Sequence, residues 1–311
     1  MSSATKEYIT PITNKGVIQL TGEERVKYLQ GQVTSDVAKL DEQKLQLTCH
    51  CDFKGKTWSV SYALNWQDSI LLLPHKTALA KSLAELNKYG VFAKVEIADQ
   101  TDNWQIIGGV GETFEQAIQD LFGSVPNTNE KVISNENGLA VLVSSLHLPS
   151  RFMVLQPIDA KQKLASESTD KGHLWEMDEI KAGIGEISEP TANEFVPQML
   201  NLHCVDAIDF EKGCYMGQEV IARTKYLGRN KKAGFILASN STQSNLTGES
   251  LEFEIEGNWR PGGTILRSAT NDEQTWIFAV LAKDTQLGTE FRLKSKPDVI
   301  FNTQALPYEL T

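Results

Sequence analysis

Cysteine is scarce in this chain: Cys49, Cys51, Cys204 and Cys214 are the only four among 311 residues. They are too few and too scattered for a disulfide framework, so free thiols are expected. Cys49 and Cys51 fall on one face of a strand with His50 on the other, an incomplete ligand set from which no metal site is expected. Long apolar runs are missing as well. No stretch approaches the ~18 consecutive apolar residues of a membrane span, and Met1–Thr10 lacks the apolar centre of a signal segment. A soluble, cytoplasmic protein is the expectation. Positive charge is in short supply, with 30 Lys and Arg against 40 Asp and Glu and a net charge of −10. Phosphate binding relies on clustered cations, so direct nucleic-acid binding over the surface at large is not expected. No glycine-rich phosphate loop follows any strand-like run, and no repeat or low-complexity segment is visible.

What is present is a chain that is 41% hydrophobic, enough to bury a sizeable core across two or three domains. The spacing of Thr21 and Glu24 fits a capping box and predicts a short helix reaching Gly31. Strands are predicted at 57–64, 69–73, 91–97, 105–110, 139–143 and 152–157, with helices at 76–89, 113–122, 160–166, 174–182 and 218–226. Strands paired by hairpins and covered by helices argue for antiparallel α+β lobes rather than a doubly wound parallel sheet. Beyond Gly234 the texture changes to short β runs at 235–238, 251–255, 263–266, 275–281 and 290–293, with the spacing of a small barrel. The expected organisation is a two-lobed α+β region over 1–230 and a C-terminal β-barrel over 231–311.

The most informative stretch is Lys212-Gly213-Cys214-Tyr215-Met216-Gly217-Gln218-Glu219. It sets a thiol just ahead of a predicted helix and between two glycines. Residues 211–232 carry six cations (Lys212, Arg223, Lys225, Arg229, Lys231 and Lys232) against two anions, Glu211 and Glu219. Cations and a helix N-terminus favour a thiolate, which makes Cys214 the candidate nucleophile and Lys212 its stabiliser. The alternative is a small residue in a tight turn beside a solvated basic face. This basic segment is also the one place where an anionic ligand or an RNA backbone would be met.

Together with Tyr28-Leu29-Gln30-Gly31-Gln32-Val33-Thr34-Ser35-Asp36-Val37, Cys51-Asp52-Phe53-Lys54-Gly55-Lys56 and Phe195-Val196-Pro197-Gln198, that stretch resembles the YgfZ family of folate-binding proteins, relatives of the glycine cleavage T-protein. The resemblance implies a T-protein-like fold around a central channel that takes tetrahydrofolate. It also implies a role in keeping iron–sulfur enzymes active, notably those that thiolate tRNA. By the same resemblance the folate contacts fall on Trp175, whose indole would stack on the pterin, and on Gln198. Lys15 stands where a second tryptophan is usual and would pair with the folate carboxylates. The T-protein's Glu-Ala-Gly reads here as Lys181-Ala182-Gly183, and its catalytic carboxylate has no counterpart, so aminomethyl transfer is not expected. Asp36 is a candidate acid or base, with a turn or cap as its other reading. Two classes stay open: a folate-dependent or thiol-based enzyme acting on iron–sulfur proteins, and a non-catalytic folate-sensing scaffold in which Cys214 is structural.

Overall fold

In the computed structural model, which describes residues 7–143, 149–164, 171–228 and 230–310, two antiparallel sheets stack face to face and a closed barrel follows. The first part of the chain gives β1 (Tyr8–Pro11), β2 (Ile18–Thr21), α1 (Arg25–Gln30), β3 (Gln46–Cys51), β4 (Thr57–Trp66), β5 (Ser69–Pro74), α2 (Lys76–Gly90) and β6 (Glu96–Asp99). Next come β7 (Trp104–Val110), α3 (Glu112–Phe122), β8 (Val132–Asn135), β9 (Gly138–Val143), β10 (Arg151–Pro157) and α4 (Gly172–Lys181). One sheet has the order β3-β4-β5-β2-β6 and the other β1-β7-β10-β9-β8, so β1 crosses from the start of the chain into the second sheet. Every pairing is antiparallel.

The apolar pattern explains the layering. Tyr62, Leu64, Leu71 and Leu73 of the first sheet meet Ile106, Val141, Met153 and Leu155 of the second in one buried cluster. The outer face of the first sheet packs on α1 and α2 through Leu29, Leu79 and Leu86, and that of the second packs on α3 through Phe114 and Ile118. Strands covered on both faces lose polar alternation. Hence β5 (SILLLP) and β9 (GLAVLV) are buried at every position. Helix α3 carries Glu112 and Glu115 in its first turn, where the helix dipole favours anions, and ends on left-handed Gly123.

After α4 the chain makes short turns and then α5 (Gln218–Tyr226), before β11 (Lys232–Ser239), β12 (Ser250–Ile255), β13 (Asn258–Thr270), β14 (Thr275–Ala282), β15 (Glu290–Leu293) and β16 (Lys296–Gln304). These six strands close in the order β11-β14-β13-β12-β15-β16 around Leu237, Ile265, Ile277, Phe291 and Phe301. A further cluster joins α4 (Met177, Ile180), the strand pair β3–β4 (Cys49, Cys51, Val60) and the barrel (Ile236, Phe278, Val280). No helix among the described residues is long and apolar enough to cross a membrane.

Three expected elements differ. The Thr21–Glu24 capping box does not form: Thr21 ends β2 opposite Glu96, and Glu24 caps α1 without a side-chain cap bond. Its carboxylate instead accepts from the backbone N–H of Lys94 at 2.9 Å and from Lys27 Nζ at 3.0 Å. The strand expected at 91–97 is confined to Glu96–Asp99, since residues 91–95 form the turn out of α2. The helix expected at 160–166 is absent from 160–164, where Leu164 N–H is taken by the Gln156 side chain at 2.8 Å; 165 and 166 lie outside the described residues.

Candidate functional site

The loop ahead of α5 is clamped on both sides of Cys214. Lys212 is buried, and its Nζ donates to the carbonyl oxygens of Gln30 and Val33, each at 2.8 Å, and of Ser35 at 2.6 Å. Burial pulls its ammonium down to about 8, against the opposing pull of Asp36 and Asp209. On the other side, Met216 N–H donates to Gly31 O at 3.0 Å and Tyr215 is buried against the cluster that holds Cys49 and Cys51. Gly217 has φ +80, and a Cβ there would lie 2.5 Å from Asp52 O and 2.8 Å from the Cα of Gly55. Only glycine permits that backbone and that approach.

The four segments singled out in the sequence therefore meet at one place. Segment 28–37 receives Lys212, segment 51–56 packs on Gly217, and segment 195–198 bonds to the start of β4 and to α5: Thr57 N–H donates to Phe195 O at 2.8 Å, and Gln198 Nε2 donates to Ile221 O at 2.6 Å. Between the clamps, Gly213 has nothing within 4 Å of a would-be Cβ, and Cys214 is exposed. The loop is hydrogen-bonded on both sides of an exposed cysteine.

The cations expected to stabilise that thiol are directed elsewhere. The Lys212 ammonium donates to three carbonyls, Arg223 pairs with Glu219, and the Lys225 ammonium lies 3.8 Å from the centroid of the Phe210 ring. Arg229 lies outside the described residues. Lys212 thus positions the loop rather than touching the sulfur. Asp36 caps the 3₁₀ turn Val37–Lys39, accepting from Ala38 N–H at 3.3 Å and pairing with Lys39 at 2.9 Å, which is the cap that its other reading expected. Cys49 and Cys51 do share a face, with sulfurs 3.3 Å apart, while His50 turns to Ser82 at 2.9 Å. Among the described residues no group of three or more His, Cys, Asp or Glu is arranged to hold a metal.

A second feature is a groove where the stacked sheets meet the barrel. Two adjoining cavities of about 380 and 320 Å³ share Asn14, Glu176, Asn245 and Ser268 as walls. Trp175 lines the first, yet only 2% of its surface is exposed. The Arg151 guanidinium lies 5.1 Å from its ring centroid, and Gly108 is so close that a Cβ there would come within 2.5 Å of the indole. An open stacking face is not what the structure offers. What it leaves is the indole Nε1–H, buried without a hydrogen-bond partner. A buried donor left unmade is costly, which marks the position as one that suits an acceptor on a ligand.

Behind the groove lies a buried charge network. Arg267 forks onto Glu176 (Nε–Oε1 2.5 Å, Nη2–Oε2 2.7 Å) and also donates to Ile184 O at 3.1 Å. Arg151 donates to Glu179 at 2.7 Å, and Tyr62 OH lies 3.2 Å from both Glu179 oxygens. Lys15 is buried in an ion pair with Glu186, 5.4 Å from the centroid of the Tyr62 ring, so it is not available to folate carboxylates. Burial raises the Glu186 carboxyl, but Lys15 and Arg267 outweigh it and hold the group at about 2. Lys181, where the T-protein has glutamate, rests 4.6 Å from the centroid of the Trp276 ring. Gln198 walls a third cavity, of about 360 Å³, that shares no residue with the groove. Glu176, Glu179, Glu186, Arg151 and Arg267 were invisible in the sequence, because isolated charges far apart along the chain carry no local pattern.

The stacked sheets and closed barrel are those of the T-protein class of folds. The solved aminomethyltransferase T of the glycine cleavage system from Bartonella henselae superposes with a TM-score of 0.73 at 15% identity, covering 97% of this chain and 86% of that one. The family model for the YgfZ beta-barrel domain matches residues 230–296. Over the whole length, the tRNA-modifying protein YgfZ of Colwellia psychrerythraea is 36% identical, with 100% of this chain and 96% of the relative covered. The protein of the same name from Yersinia enterocolitica is 34% identical over 95% of this chain and 90% of the relative. The chain belongs to the YgfZ family.

Proposed function

We propose that this protein serves tRNA modification indirectly, as a folate-binding factor that presents the Cys214 thiol to iron–sulfur enzymes, tRNA-thiolating ones among them. The observation that carries this reading is the convergence of four separated segments on one loop whose sulfur stays exposed. A structural cysteine needs no such frame and is ordinarily buried. The relatives' shared name supports the tRNA connection.

Tetrahydrofolate would lie in the groove, where the partnerless Trp175 N–H and the Glu176 carboxylate supply a donor and an acceptor for a heteroaromatic ring. The bound cofactor would supply a one-carbon carrier. The chain's own contribution is binding and orientation: Arg267 and Asn14 hold Glu176 in place, the latter at 2.9 Å. Aminomethyl transfer is not part of the proposal, since by the resemblance the T-protein's catalytic carboxylate has no counterpart in this chain.

The cofactor reading is tested with Trp175→Phe, which keeps an aromatic ring, though a smaller one, and removes the N–H. Loss of one hydrogen bond of about 1 kcal/mol predicts roughly fivefold weaker tetrahydrofolate binding by calorimetry. Unchanged affinity would remove Trp175 from the site.

A further inference from the structure

We propose that the exposed apolar face at the end of α2, beside the Cys214 loop, is the docking surface for a protein partner, which seats an apolar side chain flanked by carboxylates. The proposal rests on the reading of Cys214 as a thiol offered to iron–sulfur enzymes, and it names the surface that holds one of them.

Ten large apolar side chains are exposed among the described residues, and five of them come from three neighbouring elements. They are Val26 of α1, Phe53 of the turn after β3, and Tyr89, Val91 and Phe92 at the end of α2 and in the turn that follows. The three elements touch. Glu24 N–H, ahead of α1, donates to Lys94 O at 3.2 Å, Tyr28 OH of α1 donates to Leu86 O of α2, and Phe53 and Tyr89 wall one cavity of about 200 Å³. None of the five side chains belongs to an apolar cluster of the fold, and Phe92 is 98% exposed. Apolar surface that the fold does not use and leaves in one place marks an interaction site.

The face runs on into the Cys214 loop. Met216 is a further wall of the cavity, and its N–H donates to Gly31 O just past α1. Cys214 stands two residues earlier, no more than about 7 Å along the backbone. A chain seated on the face therefore lies beside the thiol. The cavity is smaller than the ~300–1,000 Å³ of small-molecule sites, and its size suits a single side chain. Charge selects what flanks that side chain. Lys54 Nζ lies 5.4 Å from the Phe53 centroid and enters no ion pair among the described residues, while Lys88 Nζ lies 5.2 Å from the Tyr89 centroid and 3.5 Å from Glu85. Beyond Met216, residues 211–232 hold six cations against two anions. In a chain of net charge −10, an acidic segment is repelled by the surface at large and drawn to this place. An RNA strand would use the cations and leave Val26 and Val91 idle.

The test places the photocrosslinker p-benzoylphenylalanine at position 92 of the full-length protein in cells, with the same probe at position 287 as control, since Leu287 is 71% exposed on the barrel. Mass spectrometry of the irradiated product is expected to find an iron–sulfur protein joined at 92 and not at 287, through a peptide with Asp or Glu beside an apolar residue. The double variant Phe53→Ser, Phe92→Ser is expected to lower tRNA thiolation about tenfold, with tetrahydrofolate affinity, the Cys214 alkylation rate and the unfolding midpoint unchanged. Thiolation at the parental level in the double variant overturns the proposal. So does a crosslink at 92 to no protein or only to a second copy of this chain, or binding to phosphatidylglycerol vesicles that the double variant abolishes. The two readings fail separately: full thiolation with Cys214→Ser strikes the thiol and leaves a crosslinked partner at 92 standing, whereas lost thiolation with Cys214→Ser beside parental thiolation in the double variant strikes the face alone.

Discussion

Cys214 differs from the other three cysteines in what surrounds it. Cys49 and Cys51 are buried, Cys204 is partly buried, and Cys214 stands exposed between two clamps. Native alkylation followed by peptide mapping is expected to label Cys214 first and to reach Cys49 and Cys51 only on unfolding. Equal labelling of all four would contradict the assigned burial. Lys212 acts one step away, by gathering the carbonyls of Gln30, Val33 and Ser35. Replacing it with Met leaves those acceptors without their charged donor and is expected to cost about 3 kcal/mol in urea unfolding. At this scale the sequence singled out the one cysteine that is exposed, and gave no sign of the partners its neighbours take across the fold. Lys212 and Lys15 read as free cations from the chain alone, yet both are buried, because nothing local in a sequence says which partner lies across the fold.

At the scale of elements, local pattern was a good guide where punctuation was strong. Helix α5 has the bounds 218–226 expected from its glycines and charges, and α3 ends on the left-handed Gly123 that stops it. It failed where a tertiary contact outbid a local one, as when Lys94 N–H took the Glu24 carboxylate that a capping box requires. The docking of Gly217 on Asp52 and Gly55 belongs to this scale too, since it joins the turn after β3 to the start of α5. Gly217→Ala must either move that turn or strain a backbone at φ +80. A loss of about 1–3 kcal/mol in thermal unfolding is expected, and a variant as stable as the parent would show that the docking is dispensable.

For the molecule as a whole, the α+β lobes and the barrel were legible from the alternation and length of the apolar runs. The charged junction between them was not. Arg267 comes from β13, Glu176 and Glu179 from α4, Arg151 from β10, and only the folded chain brings them together. Glu186 titrates near 2 rather than at its ordinary 4.5 because Lys15 and Arg267 face it. The unfolded chain takes up that proton first. The contribution of Glu186 to stability is therefore complete above about pH 4.5 and is lost as the pH falls through about 2. Glu186→Gln is expected to be less stable at neutral pH and to show a shallower acid dependence of its urea midpoint; an unchanged acid limb would remove the pair from the account.

In the proposed function the Cys214 thiol is the working group of this protein. It is tested most directly by measuring tRNA thiolation in cells whose only copy carries Cys214→Ser, with the purified variant's unfolding curve run beside it. Lost thiolation is expected, with a stability within about 0.5 kcal/mol of the parent, as befits an exposed substitution. Full thiolation in those cells would contradict it.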